Sequence, residues 1–229
     1  MRSSRWQAQG NVYLVADEPL TADAVRAAVG DADGIVEVTA SGDDWLDVAI
    51  WNPDGSLAEM SGNGTRIAAR WLSEHTGASD VTVWVGPREV RAHMLGNGLV
   101  EQILGPVTVG KAEEVEGIRF TPVDVGNPHA VVEGDPAVLD RVGPLLETHP
   151  RFPERTNVQV ARVDGPGRVT ARVWERGVGE TASSGTSAVA VAAATHGEGE
   201  VVVSFPGGDL TVRLDNGRAT LIGPAERVS

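Results

Sequence analysis

Two short segments of this chain carry the same chemical possibility. Ser61-Gly62 and Ser184-Gly185 each follow a β-rich run and a loop, and each opens a helical stretch. The first turn of a helix has unpaired N–H groups and a partial positive charge, so it binds a carboxylate without any basic side chain. Glycine in the second place lets a ligand approach the backbone closely. Two such termini facing one another would grip one small anionic molecule from both sides. Serine is also among the best N-cap residues, contributing on the order of 1 kcal/mol, so Ser61 and Ser184 read as structural caps as well. In the same way Asn63 reads as a turn residue, and Thr65 and Thr186 as first-turn residues. His129 reads as a satisfied, partly buried side chain, and Glu175-Arg176 as a surface ion pair worth under about 1 kcal/mol.

The elements that position these residues repeat along the chain. Trp51-Asn52 lies ten positions before Ser61-Gly62, and Trp174-Glu175 ten positions before Ser184-Gly185. An acidic residue, Glu59 or Glu180, precedes each step, and Gly10-Asn11 is echoed by Gly126-Asn127, each followed by an apolar run. Shared order and spacing predict a duplicated chain, with halves 1–108 and 109–229 and a site on the pseudo-two-fold axis. Short β-rich runs dominate, and Gly96-Asn97-Gly98 and Asp215-Asn216-Gly217 read as hairpin turns. Helices are expected over Thr21 to Val29, Pro136 to Leu146, Gly64 to His75 and Thr186 to Thr195. The third is amphipathic, with Ile67, Ala68, Trp71 and Leu72 on one side and Arg66, Arg70 and Glu74 on the other. The last is Ala and Val nearly all round, which suits a helix enclosed by sheet.

Composition narrows the function classes. The chain has 229 residues and no cysteine, which excludes disulfides, thiolate zinc sites, iron-sulfur clusters and a catalytic thiol. Acidic residues outnumber basic ones 32 to 19, a formal charge of −13 that disfavours binding to nucleic acid or anionic membranes. No run approaches the roughly 20 apolar residues that cross a bilayer, no metal-ligand spacing or phosphate loop is present, and the reading is a cytoplasmic protein. The acid-rich patch from Glu113 to Glu116 reads as a solvated loop.

Glu59-Met60-Ser61-Gly62-Asn63-Gly64-Thr65-Arg66 and the segment from Glu175-Arg176 to Ser184-Gly185-Thr186 resemble the two signature segments of the diaminopimelate epimerase family. Gly10-Asn11, Asn52-Pro53-Asp54-Gly55, Asn127-Pro128-His129, Asn157 and Pro206-Gly207-Gly208 fit the same family, in family order, over nearly the whole chain. The resemblance implies an α+β fold of two pseudo-symmetric domains, each a barrel-like mixed sheet around a central helix, with the site in the cleft between them. It implies an isomerase of lysine and peptidoglycan precursor synthesis that interconverts LL- and meso-diaminopimelate with no cofactor, with a homodimer left open. Two cysteines work as acid and base in that family, and Ser61 and Ser184 stand in their places here. By the same matching Gly62, Asn63, Gly185 and Thr186 would hold the α-carboxylate. Asn11, Asn52, Asn127, Asn157, Glu175 and Arg176 would read the rest of the substrate, and His129 and Glu175 would tune the acid and base.

Serine changes what this framework can do. A thiol of pKa near 8.5 can be lowered into the working range by a helix terminus, whereas a serine hydroxyl needs an adjacent base to release its proton. Serine keeps the shape and cap of cysteine, so fold and ligand binding are expected to survive while racemisation is impaired. Serine at both places reads either as a double Cys-to-Ser replacement or as a natural relative without thiol chemistry. Two further readings stay open: an amino-acid-binding protein without turnover, and a dehydratase or isomerase of the same fold with His129 or Glu175 as base. Val12 in place of the family's acidic residue, and generally trimmed loops, bear on specificity more than on fold.

Overall fold

The computed structural model describes residues 3–58 and 60–228, so Glu59, singled out by the internal echo, lies outside the described residues. The chain divides into two compact units. One holds the described residues up to Ile103 together with those from Ile222 on, and the other runs from Leu104 to Leu221. The boundary falls within two strands, and the end of the chain returns to the first unit rather than staying with its own half.

In the first unit β1 (Ser3–Ala8) pairs antiparallel with β2 (Asn11–Ala16), and α1 (Ala22–Ala28) leads to β3 (Gly34–Ser41), parallel to β2. Antiparallel β4 (Trp45–Trp51) follows, then α2 (Gly62–Thr76), then β5 (Asp80–Val85), parallel to β4. Hairpins add β6 (Arg88–Gly96) and β7 (Leu99–Pro106).

The second unit repeats this scheme. After two short strands, β8 (Thr108–Val109) and β9 (Glu113–Val115), β10 (Ile118–Asp124) pairs antiparallel with β11 (Pro128–Glu133). A 3-10 turn (Pro136–Val138) and α3 (Leu139–Glu147) connect to β12 (Asn157–Gly165), parallel to β11. Antiparallel β13 (Arg168–Glu175) and short β14 (Gly179–Thr181) precede α4 (Gly185–Thr195). Then β15 (Gly199–Phe205) runs parallel to β13, followed by β16 (Gly208–Asp215) and β17 (Arg218–Pro224). Both units thus show the same alternation of antiparallel and parallel pairings, and each has a bulge in its third core strand, at Val38/Ala40 and at Val163/Gly165. The last strand, β18 (Glu226–Val228), pairs with β1 through Arg5↔Val228, Trp6↔Arg227 and Gln7↔Glu226.

Each unit is a mixed sheet wrapped on one helix. α2 packs against β1 to β6 and α4 against β10 to β13, β15 and β16. Residues 185–193 of α4 are all buried, and its alanines and valines form one core with Val131, Val173, Val203, Leu210 and Leu221. A helix without a polar side is stable only when sheet surrounds it, because burial of each valine is worth about 1.5–3 kcal/mol that exposure would forfeit. α1 lies where Thr21 and Gly30 predict, with the Thr21 hydroxyl accepting from Ala24 N.

The sequence reading missed the short strands β8, β9, β14 and β18 and four longer ones, β1, β6, β10 and β17. Their polar or charged residues alternate with buried ones, as in the Arg-Glu-Val-Arg-Ala-His run of β6, so they lack the apolar density of central strands. α2 begins two residues earlier than its periodicity suggests, directly after Ser61. Arg70 and Glu74 pair at 3.3 Å on the polar side as expected, but Arg66 is fully buried and corrects that assignment. Glu113 is no solvated loop residue either: it lies in β9 and receives two hydrogen bonds from Arg151, at 2.6 and 2.7 Å.

Candidate active site

Both Ser-Gly steps sit at true helix N-termini, and the two are finished differently. Ser61 has extended backbone (φ −140°, ψ 118°), and its Oγ accepts from Gly64 N at 3.0 Å. The same oxygen lies 3.1 Å from the Tyr13 hydroxyl of β2. Gly34 makes room for that phenol, since a Cβ there would fall 2.8 Å from the Tyr13 ring and 2.5 Å from Trp51 O. Thr65 closes the turn by donating to Ser61 O at 2.9 Å, and the Gln102 amide of β7 meets the Thr65 hydroxyl at 2.9 Å. Asn63 is buried, and its Oδ1 accepts from Arg66 Nη2 at 2.6 Å. Ser184 has nearly the same backbone (φ −148°, ψ 129°) and is also buried, but its hydroxyl makes no cap hydrogen bond. Gly185 and Thr186 form the buried first turn behind it.

The polar residues of the second unit form a connected set. His129 and Asn157 are register partners on the parallel strands β11 and β12. His129 is 1% exposed, with Nε2 3.0 Å from Asn127 Oδ1 and Nδ1 3.0 Å from Gln159 Nε2. A carbonyl oxygen accepts only, so Nε2 carries the proton and Nδ1 accepts from Gln159. Burial drives the His129 imidazole down to about 3, with the charge of Arg176 acting in the same direction against the Gln159 hydrogen bond. His129 is therefore neutral at physiological pH with both ring nitrogens engaged, a poor base for the role the resemblance implied. Gln159 also donates to Ser187 on α4 at 2.9 Å, which ties the histidine to the helix terminus.

Asn157 Nδ2 donates to Pro128 O (3.0 Å) and its Oδ1 accepts from Arg176 N (3.0 Å), so it fixes the loop that follows β13. Arg176 Nη1 donates to Glu154 O at 3.2 Å, and Glu175 accepts from the Thr181 hydroxyl at 2.6 Å. In the first unit Asn11 is buried at the start of β2. Asn52 Nδ2 donates to Ser56 Oγ at 2.9 Å inside the turn that carries Gly55.

The two echoed tryptophans do the same job. Trp51 Nε1 donates to the buried Glu37 at 2.7 Å, and Trp174 Nε1 donates to the buried Glu147 at 2.7 Å. Each carboxylate also holds backbone, Glu37 at Leu20 N and Glu147 at Gly177 N. The glutamates come from unrelated positions, one in β3 and one at the end of α3. Sequence reading found the tryptophans but missed these partners, along with Tyr13, Gln102 and Gln159. The available signal was polar residues in strand positions that face inward. Among the described residues no group of three His, Cys, Asp or Glu side chains could hold a metal ion, and no helix is long and apolar enough to cross a membrane.

The sequence profile of the diaminopimelate epimerase family matches residues 121–228. A diaminopimelate epimerase from Chelativorans sp. (strain BNC1) is 35% identical, over 95% of this chain and 88% of that protein. Another, from Synechococcus sp. (strain JA-2-3B'a(2-13)), is 37% identical, over 98% of this chain and 90% of that protein. The chain belongs to the diaminopimelate epimerase family. The solved structure of a predicted epimerase from Pseudomonas aeruginosa superposes over 100% of this chain and 97% of its own, with a TM-score of 0.77 at 17% identity, a likeness of fold. The α+β architecture, each unit a sheet around its helix, is thus the fold of this diaminopimelate epimerase relative, and the epimerase and racemase class is its enzymatic lineage.

Proposed function

We propose that this chain binds diaminopimelate at the Ser61 and Ser184 helix termini and that serine in both places suppresses two-base epimerisation. One observation carries the second half of this reading: among the described residues no acidic or basic side chain is hydrogen-bonded to either hydroxyl. Ser61 Oγ meets Gly64 N and the Tyr13 phenol, and Ser184 Oγ meets no cap donor. A serine needs an adjacent base to become a nucleophile or proton acceptor, and the α-hydrogen of an amino acid is a weak acid. Carboxylate recognition asks less: the first-turn N–H groups, the glycines Gly62 and Gly185, and the side chains of Asn63 and Thr186 supply it.

Within this reading His129 is a positioning residue that orients Asn127, and Asn157 and Glu175 shape the loop that carries Arg176. The substrate is a small amino acid, handled without a cofactor by a protein of the cytoplasm. A dehydratase using His129 as base is disfavoured, since its Nδ1 lone pair is already engaged by Gln159.

The experiment is the double substitution Ser61→Cys with Ser184→Cys, followed by solvent deuterium entry into the α-position of diaminopimelate. Exchange in the two-thiol variant, with little in the unaltered chain or the single variants, supports the reading. A folded two-thiol variant without exchange overturns it. Calorimetry on the unaltered chain checks the binding half, with micromolar affinity expected.

A further inference from the structure

Arg66 is a buried cation without a carboxylate partner among the described residues. It sits on the inner side of α2, is 0% exposed, and has no ion pair among the described residues. Its Nε donates to Pro224 O at 3.0 Å and its Nη2 to Asn63 Oδ1 at 2.6 Å, while Nη1 is buried with no hydrogen-bond partner. Burial lowers its pKa to about 10, which still leaves it charged at neutral pH.

An uncompensated charge and an unsatisfied donor are both costly in an apolar interior, so a protein gains stability by removing them unless they serve another state. The equivalent place on α4, five residues after Ser184, holds Val189, so the fold itself does not require an arginine there.

We infer that Arg66 is a positioning residue for anion recognition at the α2 terminus, acting through Asn63. The guanidinium occupies Oδ1, which turns the amide so that Nδ2 is its donor end on the opposite side. A fixed N–H donor is thereby added to the first-turn backbone N–H groups. The buried positive charge polarises the Asn63 amide in the direction that strengthens donation, and a bound carboxylate becomes the counter-ion that the protein itself omits. The contact to Pro224 O locks the guanidinium plane, and a lysine in the same place has no such fork. The inference rests on the proposed binding of an amino-acid carboxylate, and it adds a residue to which the family resemblance gave no role.

Three properties of Arg66→Met, Arg66→Lys and Asn63→Ala proteins test it. The first needs no ligand: in 15N-labelled protein the Asn63 side-chain amide, assigned by its loss in Asn63→Ala, should give two sharp, separated proton signals. These should collapse or shift strongly in Arg66→Met. The second is the unliganded melting temperature, expected to be unchanged or higher in Arg66→Met because an unpaired buried charge has gone. The third is calorimetric affinity for meso-diaminopimelate, expected to fall about 10- to 100-fold in Arg66→Met and less in Arg66→Lys. In the Asn63→Ala background Arg66→Met should add almost nothing, since both changes cut one path.

An unaltered Asn63 amide in a folded Arg66→Met protein overturns the inference, and so do fully additive affinity losses. Should Arg66→Met not fold, the arginine is structural and the inference also falls, unless Arg66→Lys folds with a disordered Asn63 amide. Failure of the unaltered chain to bind diaminopimelate would instead count against the functional reading, while the amide signals still judge Arg66.

Discussion

The helix that starts after Ser61 and the helix that starts after Ser184 are built on one backbone plan and use it differently. Both caps have extended φ and ψ, both are followed by a buried glycine, and both lie at the heart of a wrapped sheet. At α2 the serine hydroxyl is engaged by Gly64 N and the Tyr13 phenol, and a buried arginine stands five residues on. At α4 the hydroxyl caps nothing, the helix is alanine and valine, and polarity comes from the neighbouring strands through Gln159 and a neutral His129. The two units share a scaffold and differ in their electrostatics. One terminus has an engaged serine hydroxyl and a buried arginine, and the other has a serine hydroxyl without a cap hydrogen bond.

The largest effect separating the two should appear in acid. His129 titrates near 6.5 when unfolded and near 3 when folded, so between those values the unfolded chain binds more protons and stability falls as pH falls. The loss should reach about 1.4 kcal/mol per pH unit at its steepest, on the order of 4 kcal/mol across the window. Urea denaturation of the unaltered chain and of His129→Gln at pH 7 and pH 4 measures it. A similar acid loss in both proteins would mean that the second unit owes no pH sensitivity to this residue.

Next in size are the glycines behind the two tryptophans. Gly34→Ala would place a Cβ 2.5 Å from Trp51 O, a backbone atom, and should cost about 3 kcal/mol. Gly143→Ala would meet Trp174 Cβ and Cγ at 2.8 Å, the base of a side chain rather than a main-chain carbonyl, and should cost about 2 kcal/mol by the same measurement. Equal costs would show the two tryptophan brackets to be equally rigid. The smallest effect concerns the caps themselves. Ser61→Ala should lose about 1 kcal/mol, and Ser184→Ala close to none, because only Ser61 accepts a first-turn hydrogen bond. Matching losses would erase the asymmetry.

What could be read from the sequence followed physical periodicity. Helix α4 was legible because a run of Ala and Val has one stable setting, and the caps at Thr21 and Ser61 because few side chains can accept a first-turn N–H; Ser184 marks its helix start but makes no such bond. The echo of Trp-Asn and Trp-Glu before Ser-Gly exposed the repeated scheme, yet gave no hint that Glu37 and Glu147 would accept the indole hydrogen bonds. Those partners are long-range, 14 and 27 residues away, and local spacing carries no trace of them. Arg66 was assigned to the polar side of α2 by periodicity, which sorts residues by type and cannot tell a solvated arginine from one buried against a backbone carbonyl. Tyr13 went unnoticed because one aromatic residue in a strand reads as core.

Strand β18 and the Pro224 carbonyl have a consequence for the order of assembly. The second unit is one continuous stretch, Leu104 to Leu221, and can close as soon as it has been synthesised. The first unit cannot, although most of it is made earlier: the edge of β1 waits for residues 226–228, and Arg66 waits for a carbonyl 158 residues downstream. The unit that is mostly synthesised first is thus the later to be completed, and removal of residues 224–228 would injure β1 and the setting of Arg66.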